Sequence, residues 1–174
     1  MDGNKASLKK YCKFFIINTL LEIKSIDKDA KIFQNVQRCE GVTKKTNYNI
    51  MVDINSEIYP ITKDSLYSIL LAKSIEDNGI SSKKEFDFEL TTNKKNTLMD
   101  KYEYVMRGKV FQFNSDNKRN NESNNPDTLC ISISFGGLLL DISNLKRDSS
   151  TGKPKAFEDI ELDEDIYLLM KKIK

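Results

Sequence analysis

The sequence predicts an all-β protein, an antiparallel eight-stranded barrel with long polar loops. Apolar and polar side chains alternate over several short stretches, about eight extended segments follow one another, and little of the chain has a secure helical period. Closing the strands into a barrel is the economical arrangement, because closure leaves no exposed edges. The sharpest stretch is Leu129–Ile142. Apolar residues alternate through Leu129, Ile131, Ile133 and Phe135, Gly136-Gly137 interrupts, and alternation resumes on the opposite parity at Leu138, Leu140 and Ile142. A two-residue hairpin requires that switch, and two glycines supply the positive φ of a type I′ turn. The hairpin sets Phe135 opposite Leu138, Ile133 opposite Leu140 and Ile131 opposite Ile142 on one face. Cys130, Ser132, Ser134, Leu139 and Asp141 then fall on the other. One bent strand with a glycine bulge is the alternative.

Residues 1–14 read as an N-terminal extension and 15–174 as a single barrel domain, long enough to bury a core without metal or disulfide staples. In the extension Lys5, Lys9, Lys10 and Lys13 precede an apolar run that Asn18 and Thr19 cut short. The run is too short to span a bilayer, and no signal-peptide cleavage site follows it. Leu8, Cys12, Phe15, Ile16 and Thr19 share a spacing that would also suit a short helix. A first strand is expected near Leu20–Ile26, a turn at Asp27–Ala30, and a second strand from Ile32 to Cys39 with Gly41 in the loop beyond it. In the clearest single strand Tyr48, Ile50, Val52 and Ile54 alternate against Asn49, Met51, Asp53 and Asn55, and Pro60 ends the segment.

Leu66–Ile75 loads both faces with Tyr67, Ile69, Leu70 and Leu71, so strand and helix both stay open. In the segment 102–113, Tyr102, Tyr104 and Met106 share a face. After Gly108 the phase slips to Phe111 and Phe113, as a bulge or a corner would produce. The last strand is expected at Ile166–Met170. The polar loops at 76–98, 114–127 and 144–160 read as mobile.

Composition narrows the chemistry. Hydrophobic residues make up 39% and charged residues 31%, with a mean hydropathy of −0.53, so a modest core carries a heavily solvated surface. The net charge of +2 balances 28 basic against 26 acidic residues and leaves no global footprint for nucleic acid or an anionic membrane. Histidine is absent, which removes the commonest general base and zinc ligand. Cys12, Cys39 and Cys130 stand far apart in an odd count, with neither zinc spacing nor a disulfide framework. No phosphate-binding loop, dinucleotide fingerprint or nucleophile elbow is present. Asp53 is expected to point away from the apolar face, solvated or facing a partner. The acidic run from Glu158 to Asp165 lacks the order of a calcium loop and reads as solvated. No catalytic, cofactor-binding or metal residue is assigned.

One segment has a nucleic-acid flavour. Tyr102, Tyr104, Phe111 and Phe113 interleave with Arg107 and Lys109, and aromatics on a barrel face stack bases in oligonucleotide-binding (OB) folds. A free-standing OB-fold protein that binds single-stranded nucleic acid is therefore the alternative function. Aromatic core residues are the plainer reading, and period two supports it for at least one face.

Four segments, in order, decide between them. Tyr102-Glu103-Tyr104-Val105-Met106-Arg107-Gly108-Lys109-Val110 followed by Ser134-Phe135-Gly136-Gly137-Leu138-Leu139 resembles the eighth subunit common to eukaryotic nuclear RNA polymerases I, II and III. Val52-Asp53-Ile54-Asn55 through Ile58-Tyr59-Pro60 is similar to that family's third strand, and Tyr167-Leu168-Leu169-Met170-Lys171-Lys172 to its last. The resemblance runs from about Leu20 to the end. It implies a barrel related to the OB-fold and a non-catalytic, cofactor-free common subunit that supports polymerase assembly and stability. It also implies docking on the largest subunit, a nuclear location, weak or absent direct contact with nucleic acid, and no membrane. Tyr104, Arg107, Phe135, Gly136 and Gly137 are the candidate partner-facing residues. Arg107 departs from the family, which usually carries an aromatic residue there.

Overall fold

The computed structural model describes residues 15–28, 34–75, 97–115 and 128–173. The alternating segments fold into eight strands: β1 Phe15–Ile26, β2 Val36–Thr43, β3 Asn49–Asn55, β4 Leu66–Ala72, β5 Tyr104–Ser115, β6 Thr128–Phe135, β7 Leu138–Lys146 and β8 Asp165–Lys172. Their antiparallel ladders close into one barrel in the order β1-β2-β3-β7-β6-β5-β8-β4, an all-β architecture consistent with a relative of the OB-fold. Among the described residues the helical segments are two short 3-10 turns, Leu98–Lys101 and Lys155–Phe157.

The hairpin forms in the expected register. Phe135 pairs with Leu138, Ile133 with Leu140 and Ile131 with Ile142, and both turn glycines have positive φ, Gly136 at 63° and Gly137 at 105°. The register slips between Leu129 and Ile131, where β7 carries an extra residue beside Asn144, itself at φ 63°.

Period two sends one side of every strand inward. Leu21 and Ile23 of β1, Ile50, Val52 and Ile54 of β3, Tyr67, Ile69 and Leu71 of β4, and Ile166, Leu168 and Met170 of β8 meet the hairpin's apolar face in one core. β4 is a strand, and its two loaded faces have separate uses. Tyr67, Ile69 and Leu71 face the interior, whereas Leu70 and Ala72 join Leu169 outside the barrel beneath Leu98 of the first 3-10 turn.

Several boundaries differ from those expected. β1 begins at Phe15 rather than near Leu20, because Ile17 and Thr19 continue the inward parity of Leu21 and pair with β4. β2 starts at Val36 and runs through Gly41, which pairs with Ile23 inside the ladder instead of lying in a loop. A Cβ at Gly41 would stand 2.4 Å from the Glu22 carbonyl oxygen, so that close crossing needs glycine. Part of the segment 144–160, expected as a mobile loop, is built into the fold. β7 continues to Lys146, Arg147 bridges Pro154, and Phe157 and Ile160 are buried in the main core. The extension 1–14 and the stretches 76–96 and 116–127 lie outside the described residues.

Candidate functional site

A shallow groove of about 770 Å³ opens where β5 changes neighbours. Tyr104–Lys109 of β5 pairs with Met170–Asp165 of β8, and Lys109–Ser115 pairs with Ser134–Leu129 of β6. At the handover Gly108 packs against the β6 end of the hairpin. A Cβ there would lie 2.4 Å from the Ser134 carbonyl oxygen and 2.5 Å from Phe135 Cδ1. The bulge inferred from the phase slip sits just beyond, between Val110 and Gln112. It keeps Val110 inside and turns Phe111 out, 47% exposed.

The opposite wall is the start of the β8 segment. The Asp163 amide donates to the Val110 carbonyl at 2.8 Å, and the Val110 amide donates to the Glu164 carbonyl at 3.1 Å. These bonds fix the acidic loop against β5 and leave Leu162 60% exposed. Gly136 at the hairpin tip completes the lining.

Two ion pairs cross the groove. Arg107 Nη2 lies 2.9 Å from Asp165 Oδ2, and Lys109 Nζ lies 2.8 Å from Asp163 Oδ1. The hydrogen bond that Arg107 donates to Asp165 raises it above its ordinary range, and the one that Lys109 donates to Asp163 does the same for that lysine. Both cations therefore stay charged and matched by carboxylates.

The structure separates the five candidate partner-facing residues. Arg107 and Gly136 line the groove, and Gly137 is exposed beside Gly136. Phe135 is buried beneath the tip. Tyr104, 6% exposed, points into the barrel, where its ring stacks on Tyr59 with centroids 5.1 Å apart. Its hydroxyl accepts the Asn55 amide at 3.2 Å and contacts Met106 Sδ at 3.3 Å. Burial raises the Tyr104 phenol.

The aromatic strand is not a stacking platform of the kind an OB-fold nucleic-acid binder presents. Tyr104 is interior, Tyr102 joins the outer cluster beneath Lys171, and Phe113 packs on the main core under Lys153. Of the four rings, Phe111 alone is largely exposed.

Asp53 points outward from the barrel as period two required, yet it is buried. Arg38 on the neighbouring strand grips it through Nε–Oδ1 at 2.7 Å and Nη2–Oδ2 at 2.8 Å, and the Leu139 amide donates to Oδ2 at 3.3 Å. The strand pairing that sets Arg38 opposite Asp53 was invisible before the register was known. The acidic run is partly recruited to structure, since Glu164 pairs with Lys73 at 2.7 Å and Asp165 with Arg107. Among the described residues no His, Cys, Asp and Glu side chains gather in a group of three suited to a metal ion.

Leu162 and Asp163 were missed as a groove wall. The available signal was Leu162 itself, an apolar residue inside an acidic stretch.

Residues 18–172, which reach from within β1 to the end of β8, match the family model described as RNA polymerase Rpb8. A relative from Dictyostelium discoideum, named DNA-directed RNA polymerases I, II, and III subunit rpabc3, is 35% identical over 151 residues, covering 87% of this chain and 92% of the relative. One from Caenorhabditis briggsae, named Probable DNA-directed RNA polymerases I, II, and III subunit RPABC3, is 29% identical over 157 residues, covering 90% and 95%. One from Arabidopsis thaliana, named DNA-directed RNA polymerases II, IV and V subunit 8B, is 28% identical over 151 residues, covering 87% and 91%.

Proposed function

The chain belongs to the RNA polymerase Rpb8 family, and we propose that it is a non-catalytic subunit shared by DNA-directed RNA polymerases I, II and III. The observation that carries this reading is the extent of the match, which takes in most of β1 and the whole of the other seven strands. In this reading the subunit acts in the nucleus, docks on the largest subunit, and supports assembly and stability of the transcribing enzyme.

The distribution of polar groups favours a structural role. Ion pairs such as Arg38–Asp53, Lys73–Glu164 and Arg107–Asp165 engage acidic and basic side chains at different places on the barrel, instead of gathering them at one reactive point. Catalysis by general acid and base needs such convergence. The rigid closed ladder and the dispersed aromatic rings fit a protein-facing module better than a single-strand binder.

The test is affinity purification of the tagged chain from its own cells. Recovery of the largest subunits of all three polymerases is expected. Recovery of none of them refutes the reading, and recovery of a subset would restrict it to those enzymes.

A further inference from the structure

Within that shared-subunit reading, we propose that the groove between Phe111 and Leu162 receives an uncharged apolar side chain from the largest polymerase subunit. Four large apolar side chains are strongly exposed among the described residues: Ile58, Phe111, Leu162 and Ile173. Two of them, Phe111 and Leu162, line the same groove. Their exposure is imposed by the backbone. The β5 bulge between Val110 and Gln112 turns Phe111 outward, and the paired bonds of Val110 to Asp163 and Glu164 hold the loop that presents Leu162. Gly136, whose Cβ position has no atom within 4 Å, leaves the hairpin side of the groove open.

The charges around the groove select the occupant. Arg107 and Lys109 supply two positive charges, and Asp163 and Asp165 supply two negative ones at 2.8–2.9 Å. A polyanion such as single-stranded nucleic acid gains its affinity from unmatched cations, and a groove balanced in this way has little to offer it. A charged side chain would likewise have to displace an existing partner. An apolar group needs neither, and it would remove the Phe111 and Leu162 faces from water while the ion pairs stay at the rim. Apolar anchors framed by a polar rim are how protein interfaces concentrate their binding energy.

The experiment compares tagged wild-type chain with the double variant Phe111→Ser/Leu162→Ser and the control Ile58→Ser. Ile58 is 69% exposed, lies between β3 and β4, and does not line the groove. All three side chains are exposed, so thermal melts should match. Recovery of the largest polymerase subunit should fall about ten-fold or more in the double variant and stay at wild-type level in the control. Equal recovery by wild type and the double variant overturns the groove while leaving the shared-subunit reading in place. Failure of the wild type to recover any polymerase overturns both. Binding of a single-stranded oligonucleotide by the purified chain, abolished in the double variant, would also overturn the proposed occupant.

Discussion

Replacing Gly108 with alanine tests the packing beneath the groove. The new Cβ would stand 2.4 Å from the Ser134 carbonyl oxygen, 2.5 Å from Phe135 Cδ1 and 2.9 Å from Phe135 Cε1. Gly108 is not among the described glycines with positive φ, so the conflict is steric. Ordinary contact requires the groups to part by roughly 1 Å. The carbonyl can retreat only by loosening the Lys109–Ser134 rung, and the ring can retreat only by leaving the core. Overpacking of this kind costs about 1–3 kcal/mol, and a weakened ladder bond adds about 1 kcal/mol. The entropy that alanine removes from the unfolded chain offsets about 0.4–1 kcal/mol. A net loss of about 2–3 kcal/mol is expected. The chain has no tryptophan, so urea unfolding is best followed by far-ultraviolet circular dichroism. With a slope of about 2 kcal/mol per molar urea, the midpoint should drop by roughly 1–1.5 M. A midpoint within about 0.2 M of wild type would show that β5 does not approach the hairpin this closely.

Three further outcomes are expected. Gly137→Val should lose about 1–2 kcal/mol from backbone strain alone, because φ is 105° and a Cβ would meet nothing within 4 Å. An unchanged thermal melt would contradict the positive φ. Asp53→Ala breaks a bidentate, largely buried pair with Arg38 and should destabilise by about 2–3 kcal/mol, read as a lower urea midpoint. A midpoint equal to wild type would contradict that contribution. For pH, burial pushes the Cys39 thiol up to about 12 and also raises the Tyr59 and Tyr104 phenols. The native state holds these protons more tightly than the unfolded chain, which releases them first as pH rises. Their contribution is therefore constant below about pH 9 and declines above it, by at most about 1.4 kcal/mol per pH unit for each group. Urea midpoints measured from about pH 7 to 11 should fall across the upper half of that window, and a rise there would contradict the sign.

Much of the fold was legible because alternation reports which side of a strand faces inward. The Leu129–Ile142 hairpin and the Tyr48–Asn55 strand carry that signal without interruption, and the opposed parities around Gly136-Gly137 fixed a register as well. Alternation does not report what covers the other side. Asp53 read as solvated or facing a partner because Arg38 comes from a strand with its own phase, and Leu70 left β4 ambiguous because its cover, Leu98, lies far along the chain. The same limit applied at the groove. The phase slip after Gly108 announced an irregularity, but its position at Phe111 depended on how β6 pairs with β5. Phe157 and Ile160 were hidden within a polar stretch whose composition suggests solvent on every side.

A barrel that serves as a subunit common to several polymerases must travel with each of them. The most direct measurement is a chromatographic separation of RNA polymerases I, II and III from nuclear extract, with the chain quantified in every fraction. The chain should coincide with each polymerase's largest subunit, in a constant ratio across the three peaks. A chain that elutes apart from all three would contradict a shared-subunit role.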